Sequence, residues 1–521
     1  MLRKGIFILA GFLPLFTCAQ VADTIAQRFS KQVSATLLKE HLSVIASDAY
    51  EGRETGKKGQ KMAADYIRHE FMKLKLKPGN DTSYFQTYPL VLRKPANIDF
   101  SIGSSTYTFK KDFYALAMPE FHDQVLEDSK VVFLGYGIND SSGHYNDYRK
   151  CPDLKSRIVV ILNGEPFDKN GKSLVSGKNE PGVWSQAVLK KIKAARKAGA
   201  RALLCISDEA PGEMKLNKYL TAERMSVPTD QPTSQEMPVF YISKEMASKL
   251  IGMDIETVKK KISEKRKPKN VVASIRLSID IHRDEKGISG ENVIGILEGS
   301  KKKDAYIFIT AHYDHLGIIN GEVYNGADDD GSGTVSVMAL ARAFCKARDE
   351  GKGPERSIVF MTVSGEEKGL LGSGWYVEHP TIPLNQIVCD LNIDMIGRID
   401  EKHALNPAYV YIIGSDKLSS SLHKINEEAN SIYTRLVLDY TYNDPKDPNR
   451  FYYRSDHYNF AKNRIPVIFY FNGTHADYHQ ETDEVSKIDF GLMEKRADLV
   501  FFTAWELSNR TERIVVDSDK K

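Results

Sequence analysis

The stretch Thr310–Gly333, TAHYDHLGIINGEVYNGADDDGSG, decides how the chain is read. Two histidines and four aspartates stand among its glycines, directly after the apolar run AYIFIT at 305–310. A short apolar run of this kind is the pattern of a buried strand. Imidazoles and carboxylates gathered where a buried strand ends make the donor set of a divalent metal site. Further strand-like runs follow at 357–367 (SIVFMTVSGEE), 387–397 (IVCDLNIDMIG) and 466–473 (PVIFYFNG). Helical runs at 335–347 (VSVMALARAFCKA) and 421–430 (SLHKINEEAN) alternate with them. The alternation predicts an α/β fold, a mixed and mostly parallel sheet with helices on both faces.

In such sheets, sites form outside the carboxyl ends of strands. His312 and Asp314 stand at one such end, and Asp328–Asp330 open a helix. Glu366-Glu367 and Asp394 stand at two more ends, and His475 and His479 lie in the loop after the last strand. Any one of these arises by chance; five in consistent positions make a pattern.

Upstream, 36–48 and 61–74 read as two helices joined by the glycine-rich loop AYEGRETGKKGQ. Arg53 and Glu51 in that loop are read as anchors of the N-terminal arm. Polar–apolar alternation over 85–120 suits antiparallel strands. From about 128 to 255, buried-strand patterns alternate with helices but carry no cluster of metal-type residues. This block reads as an inserted domain, with His144 on its surface and Cys205 in its core. RIVVILNG, KAARKAGA and PVFYIS within it resemble the protease-associated domain, a lid or access element. The lysine-rich run at 259–269 reads as a solvated helix end.

The 521 residues suit about two to four domains. With 41% hydrophobic and 27% charged residues, the composition is that of a folded soluble protein. A net charge of +3 points to neither nucleic acid nor anionic membrane. Five cysteines without a CxxC pair indicate neither a thiolate metal cluster nor a disulfide framework. Basic residues in Met1–Lys4, an apolar core at Gly5–Phe16 and Thr17-Cys18-Ala19 read as a secretory signal cleaved after Ala19. The alternative is lipidation at Cys18. Either way the protein is expected to be exported, with no integral membrane segment. The domain reading is 1–19 signal, 20–127 first part of the domain that bears the metal-type residues, 128–255 insert, and 256–521 the remainder of that domain.

The motifs HYDHLG, NGADDDGSG, SGEEKGLLGS, NIDMIGR and YHQETDEVSKID together resemble those of a zinc-dependent aminopeptidase family. That family also contains glutamate carboxypeptidase II, transferrin receptor and the glutaminyl cyclases. The resemblance covers most of the mature chain. It implies a zinc-exopeptidase (phosphorylase/hydrolase-like) fold with a protease-associated insert, two Zn²⁺ per chain, and peptide substrates. His312 and Asp394 would hold one zinc, Glu367 and His479 the other, and Asp329 would bridge them. A bridging carboxylate is what a two-metal hydrolase requires. Two-residue spacing on a strand returns Asp314 to the face of His312, where it can accept the imidazole's other N–H. Glu366 would be the general base, and Tyr478 a donor to the developing oxyanion. The resemblance assigns His315 and His475 no metal; Asp328 and Asp330 are read as helix caps, and Asp456-His457 as supporting or substrate-side. The expected activity is aminopeptidase. A glutaminyl cyclase-like transferase, or a carboxypeptidase for acidic C-terminal residues, is the alternative. The oligomeric state is not legible.

Overall fold

The computed structural model describes residues 22–94, 97–109, 111–115, 124–140, 145–186, 188–207, 223–228, 237–282 and 284–518. The signal-peptide reading of 1–19, Cys18 included, and the reading of His144 lie outside these residues. Among the described residues, no helix is long and apolar enough to cross a membrane.

The chain divides into two compact units. One combines the chain up to Leu90 with the chain from Ile288 onward; the other is Val91–Gly287. In the second unit, eight strands form one sheet in the order 105–107, 97–102, 270–282, 124–134, 158–162, 202–206, 239–242, 113–115. The four strands from 124–134 to 239–242 are parallel. This unit is wider than the 128–255 read from sequence. The reason is pairing: 270–282 lies antiparallel between 97–102 and 124–134, which draws both flanks into the sheet. Alternating strand sequences reveal which face is buried, but not which partner a strand takes.

The first unit carries α1 (Thr24–Ser30), α2 (Ala35–Ile45), α3 (Lys58–Lys73), β1 (Phe85–Arg93), β2 (Glu285–Leu297), β3 (Lys302–His312), α4 (Gly333–Asp349), β4 (Arg356–Val363), α5 (Leu371–Glu378), β5 (Ile387–Ile393), β6 (Tyr409–Ile413), α6 (Ser420–Ala429), β7 (Val437–Asp439), β8 (Val467–Phe471) and α7 (Phe490–Asn509). Its sheet runs β7-β6-β8-β5-β3-β4-β2-β1. β4, β3, β5 and β8 are mutually parallel, while β2 and β6 join antiparallel. β4 and β5 are buried at every position, as strands covered on both faces must be. One face packs on α1–α4, α6 and α7 through residues such as Leu38, Ile67, Val337 and Phe501. The other packs Phe308, Met361 and Val467 against Tyr376 of α5 and Phe460 of the short helix His457–Ala461. This is a mixed, mostly parallel α/β sheet with helices on both faces. From β3 the chain goes to β4 on one side and later to β5 on the other, so the crevice at the end of β3 is a topological switch point.

Candidate metal centre

Four parallel strands end at this crevice, and each delivers a polar side chain. β3 ends in His312, with Tyr313, Asp314 and His315 following; Glu366-Glu367 follow β4, Asp394 follows β5, and His479 lies in the loop after β8. Asp329 comes from the turn between β3 and α4, where Asp329 and Asp330 leave helical geometry. His312, Asp314, Asp329 and Asp394 are nearly inaccessible, while the His479 side chain is about one-third exposed.

Two donor groups share Asp329. One is His312, Asp329 and Asp394; the other is His315, Asp329 and Glu367. His312 Nε2 lies 3.2 Å from Asp329 Oδ1 and 3.8 Å from Asp394 Oδ1. His479 Nε2 lies 3.0 Å from Asp329 Oδ2 and 3.3 Å from Glu367 Oε2. The two oxygens of Asp329 therefore face different imidazoles. Glu366 belongs to neither donor group; its Oε2 lies 4.0 Å from His312 Nε2.

The electrostatics are those of a site built for cations. Burial alone would raise the Asp329 carboxyl, yet the His312 and His479 imidazoles beside it hold it well below the carboxylate range. Burial works against a charged His312, but the neighbouring carboxylates, Glu366 foremost and then Asp314, Asp329 and Asp394, raise its proton affinity well above normal. His479 is likewise pushed up to about 10, against burial, by Asp329 and Glu367. The carboxylates gathered around both imidazoles thus favour positive charge in the crevice. His312 Nε2 is buried without a hydrogen bond. An unsatisfied donor atom aimed at such carboxylates fits a metal ion. Burial drives the Glu366 carboxyl well above its usual range, with Glu367 and Asp394 adding to the effect.

A recess adjoins the carboxylates. Asp329, Glu366 and Asp394 line it together with Met395, Phe451, Phe469 and Phe471, and Arg454 and Tyr478 complete it. Arg454 Nη2 lies 3.3 Å from the Tyr478 hydroxyl, to which it donates. Burial raises the Tyr478 phenol, which stays a neutral donor. His457 stacks on Phe469 at 4.8 Å, and burial pulls its imidazole down to about 3. Asp456, buried and hydrogen-bonded by Ser373, is raised to about 7 by burial.

Several neighbours differ from the sequence reading. The Nδ1 of His312 meets the backbone carbonyl of Asp314 at 3.0 Å, whereas the Asp314 carboxylate is 3.7 Å away. That carboxylate accepts from Thr55 and from the Glu366 amide instead. Asp328 does not cap α4: it accepts from the Gly397 amide and from His475 Nε2. Asp330 accepts from Gly333 N, as a cap does, but also from Met395 N and His312 N, tying two strand ends to the start of α4. His475, engaged with Asp328, lies outside both donor groups; His315, 2.8 Å from Glu367 Oε1, lies inside one. Asp483, overlooked in the sequence, receives the amides of Asp328 and Asp329. Its spacing four residues after His479 was the available signal.

Residues 292–504 match the model of peptidase family M28. This part of the chain is an M28 peptidase domain. Among curated proteins, a glutamate carboxypeptidase 2 homolog of Caenorhabditis elegans is 29% identical over 299 residues, 51% of this chain. Aminopeptidase YwaD of Bacillus subtilis is 33% identical over 116 residues, 22% of this chain. The chain spans 37% of the length of the nematode relative and 23% of that of the Bacillus one. Among solved structures, an aminopeptidase from Aneurinibacillus sp. strain AM-1 superposes with a TM-score of 0.53 at 17% identity, covering 95% of this chain and 100% of that one. That likeness bears on the fold. All the polar groups of the crevice after Asn292 and before Thr503 fall within the M28 domain, whereas Thr55 and Arg53 fall outside it.

Proposed function

We propose that the protein is a dinuclear zinc exopeptidase, an aminopeptidase that removes apolar N-terminal residues from peptides. The observation that carries this reading is Asp329, whose two oxygens face His312 at 3.2 Å and His479 at 3.0 Å. Such a carboxylate suits a bridge between two ions. In this reading His312 and Asp394 hold one zinc, Glu367 and His479 the other, and Asp329 both. Bound zinc would polarise the scissile carbonyl and acidify water.

The chain's own residues do the rest. Glu366 lines the recess and takes a proton from the attacking water, then passes it to the leaving amine. Its elevated proton affinity suits a group that must hold that proton between the two steps. Tyr478, with Arg454 donating to its oxygen, donates toward the developing oxyanion. Phe451, Phe469, Phe471 and Met395 suit an apolar side chain. Residues 128–255 are read as a protease-associated insert, and residues 1–19 as an export signal.

One feature favours a second reading. Arg454 in the recess can pair with a substrate carboxylate, as a carboxypeptidase for acidic C-terminal residues requires. A panel of aminoacyl reporters run beside N-blocked peptides with acidic C-termini separates the two. Turnover is expected on free-amine substrates with Leu or Phe, abolished by a chelator and restored by zinc. Turnover confined to N-blocked peptides overturns the aminopeptidase reading, and chelator-insensitive turnover overturns the metal assignment.

The third histidine gives a further test. His479→Ala is expected to remove most of one zinc equivalent, measured by elemental analysis after dialysis. His315→Ala is expected to keep both equivalents, because in this reading His479 and not His315 completes the second zinc, although His315 Nδ1 stands 2.8 Å from Glu367 Oε1. The opposite pattern would exchange the two roles.

A further inference from the structure

Outside the M28 domain, one short segment reaches the loops that carry His312, Asp329 and Glu366. It is the loop EGRETG, residues 51–56, between α2 and α3. Arg53 is fully buried, which for a guanidinium demands satisfied donors and compensating charge. It has both. Nε donates to Tyr313 O at 2.7 Å; Nη1 donates to Ile45 O at 2.9 Å and Asn325 O at 2.6 Å; Nη2 donates to Gly326 O at 2.9 Å. Burial pulls its pKa down to about 10, and Asp314, Asp483, Asp329 and Asp330 oppose that fall. The group therefore keeps its charge at neutral pH.

The targets of these bonds matter. Tyr313 lies between His312 and Asp314, and Asn325-Gly326 open the turn that presents Asp329. One planar fork thus joins two loops that bring different donors to the crevice. Thr55, also fully buried, adds a third. Its hydroxyl donates to Asp314 Oδ2 at 2.6 Å and accepts from Gly365 N at 3.0 Å, one residue before Glu366. The backbone follows the same course: His315 N donates to Arg53 O, and Glu54 bridges to His315. Gly52 is required here. Its φ is +63°, and a Cβ would stand 2.5 Å from the carbonyl oxygens of Gly317 and Tyr324.

We propose that Arg53 and Thr55 are positioning residues, which set the spacing among His312, Asp329 and the Glu366-Glu367 pair and so tune metal affinity and turnover. The inference rests on the dinuclear zinc reading. Neither residue touches substrate or metal; each acts through the groups it holds. A packing role alone would require only the volume of Thr55, whereas positioning requires its hydroxyl. Arg53 must likewise supply a fork, which a lysine ammonium cannot.

The test measures zinc affinity by competition with a chromophoric chelator, alongside kcat and KM on an aminoacyl reporter. Thr55→Val is expected to weaken zinc binding and lower kcat by about 10–100-fold, the range for outer partners of metal ligands, with KM nearly unchanged. Thr55→Ser is expected to restore both. Arg53→Lys is expected to weaken zinc binding although the charge is kept. Wild-type affinity and kcat in Thr55→Val would overturn the proposal, as would an equal defect in Thr55→Val and Thr55→Ser. If the wild-type protein holds zinc but cleaves no reporter, the peptidase reading fails, and the chelator competition still decides the positioning role.

Discussion

Glu366→Gln is expected to retain two zinc ions per chain and to lose turnover by about a hundredfold or more, the contribution of a well-placed general acid–base. The amide keeps the size of the side chain and removes only its ability to accept and return a proton. Glu366 belongs to neither donor group, yet it lines the recess where a substrate would sit. Its backbone amide is held by Asp314 Oδ1 at 3.3 Å, and this bond survives the substitution. Elemental analysis and steady-state kinetics on the same preparation check the result. A near-wild-type kcat removes Glu366 from its role; loss of a zinc equivalent with the loss of rate makes it a ligand instead.

Asp329→Ala is expected to remove both ions and all measurable turnover, whereas Asp394→Ala is expected to leave one ion in place. The difference follows from geometry. Asp329 places one oxygen toward His312 and the other toward His479, while Asp394 belongs to the His312 group alone. Asp329 is held for this by Asp483, which accepts its amide at 3.1 Å. Without it, the remaining acidic groups face one another with no shared counter-ligand. Metal content after dialysis against a weak chelator distinguishes the outcomes. Two ions retained in Asp329→Ala would end the bridging assignment.

Much of this was legible in the chain. Apolar runs at 305–310, 357–363 and 387–393 read as buried strands because strands covered on both faces carry no alternation, and the structure places them in the centre of the sheet. The polar residues after them stood out because carboxylates seldom follow a buried strand without a function. The neighbours of these residues were harder. His315 and His475 each stand near an expected ligand in sequence, and His475 is there the alternative to His479. Folding sends one to Glu367 and the other to Asp328. Asp314 was expected to offer its carboxylate to His312, yet a strand end that curves offers its carbonyl first. The loop EGRETG was read as an anchor of the arm, since a charged, glycine-rich stretch between helices is ordinarily solvated. Nothing local in it announces that Arg53 is fully buried.

By itself, then, the sequence determined the class of sheet, the strand ends that carry polar groups and the family to which residues 292–504 belong. Those properties are written in local periodicity and in motifs a few residues long. Only the tertiary structure decided which oxygen faces which imidazole, that His315 and not His475 joins a donor group, and that residues 51–56 reach the crevice. The last depends on contacts across 250 or more residues of chain, such as Arg53 to Tyr313 and Thr55 to Gly365, and the others on pairs distant in sequence such as His479 with Asp329 and His315 with Glu367. The run Thr310–Gly333 supplies one end of the site and its shared carboxylate. Long-range packing sets the distance between them.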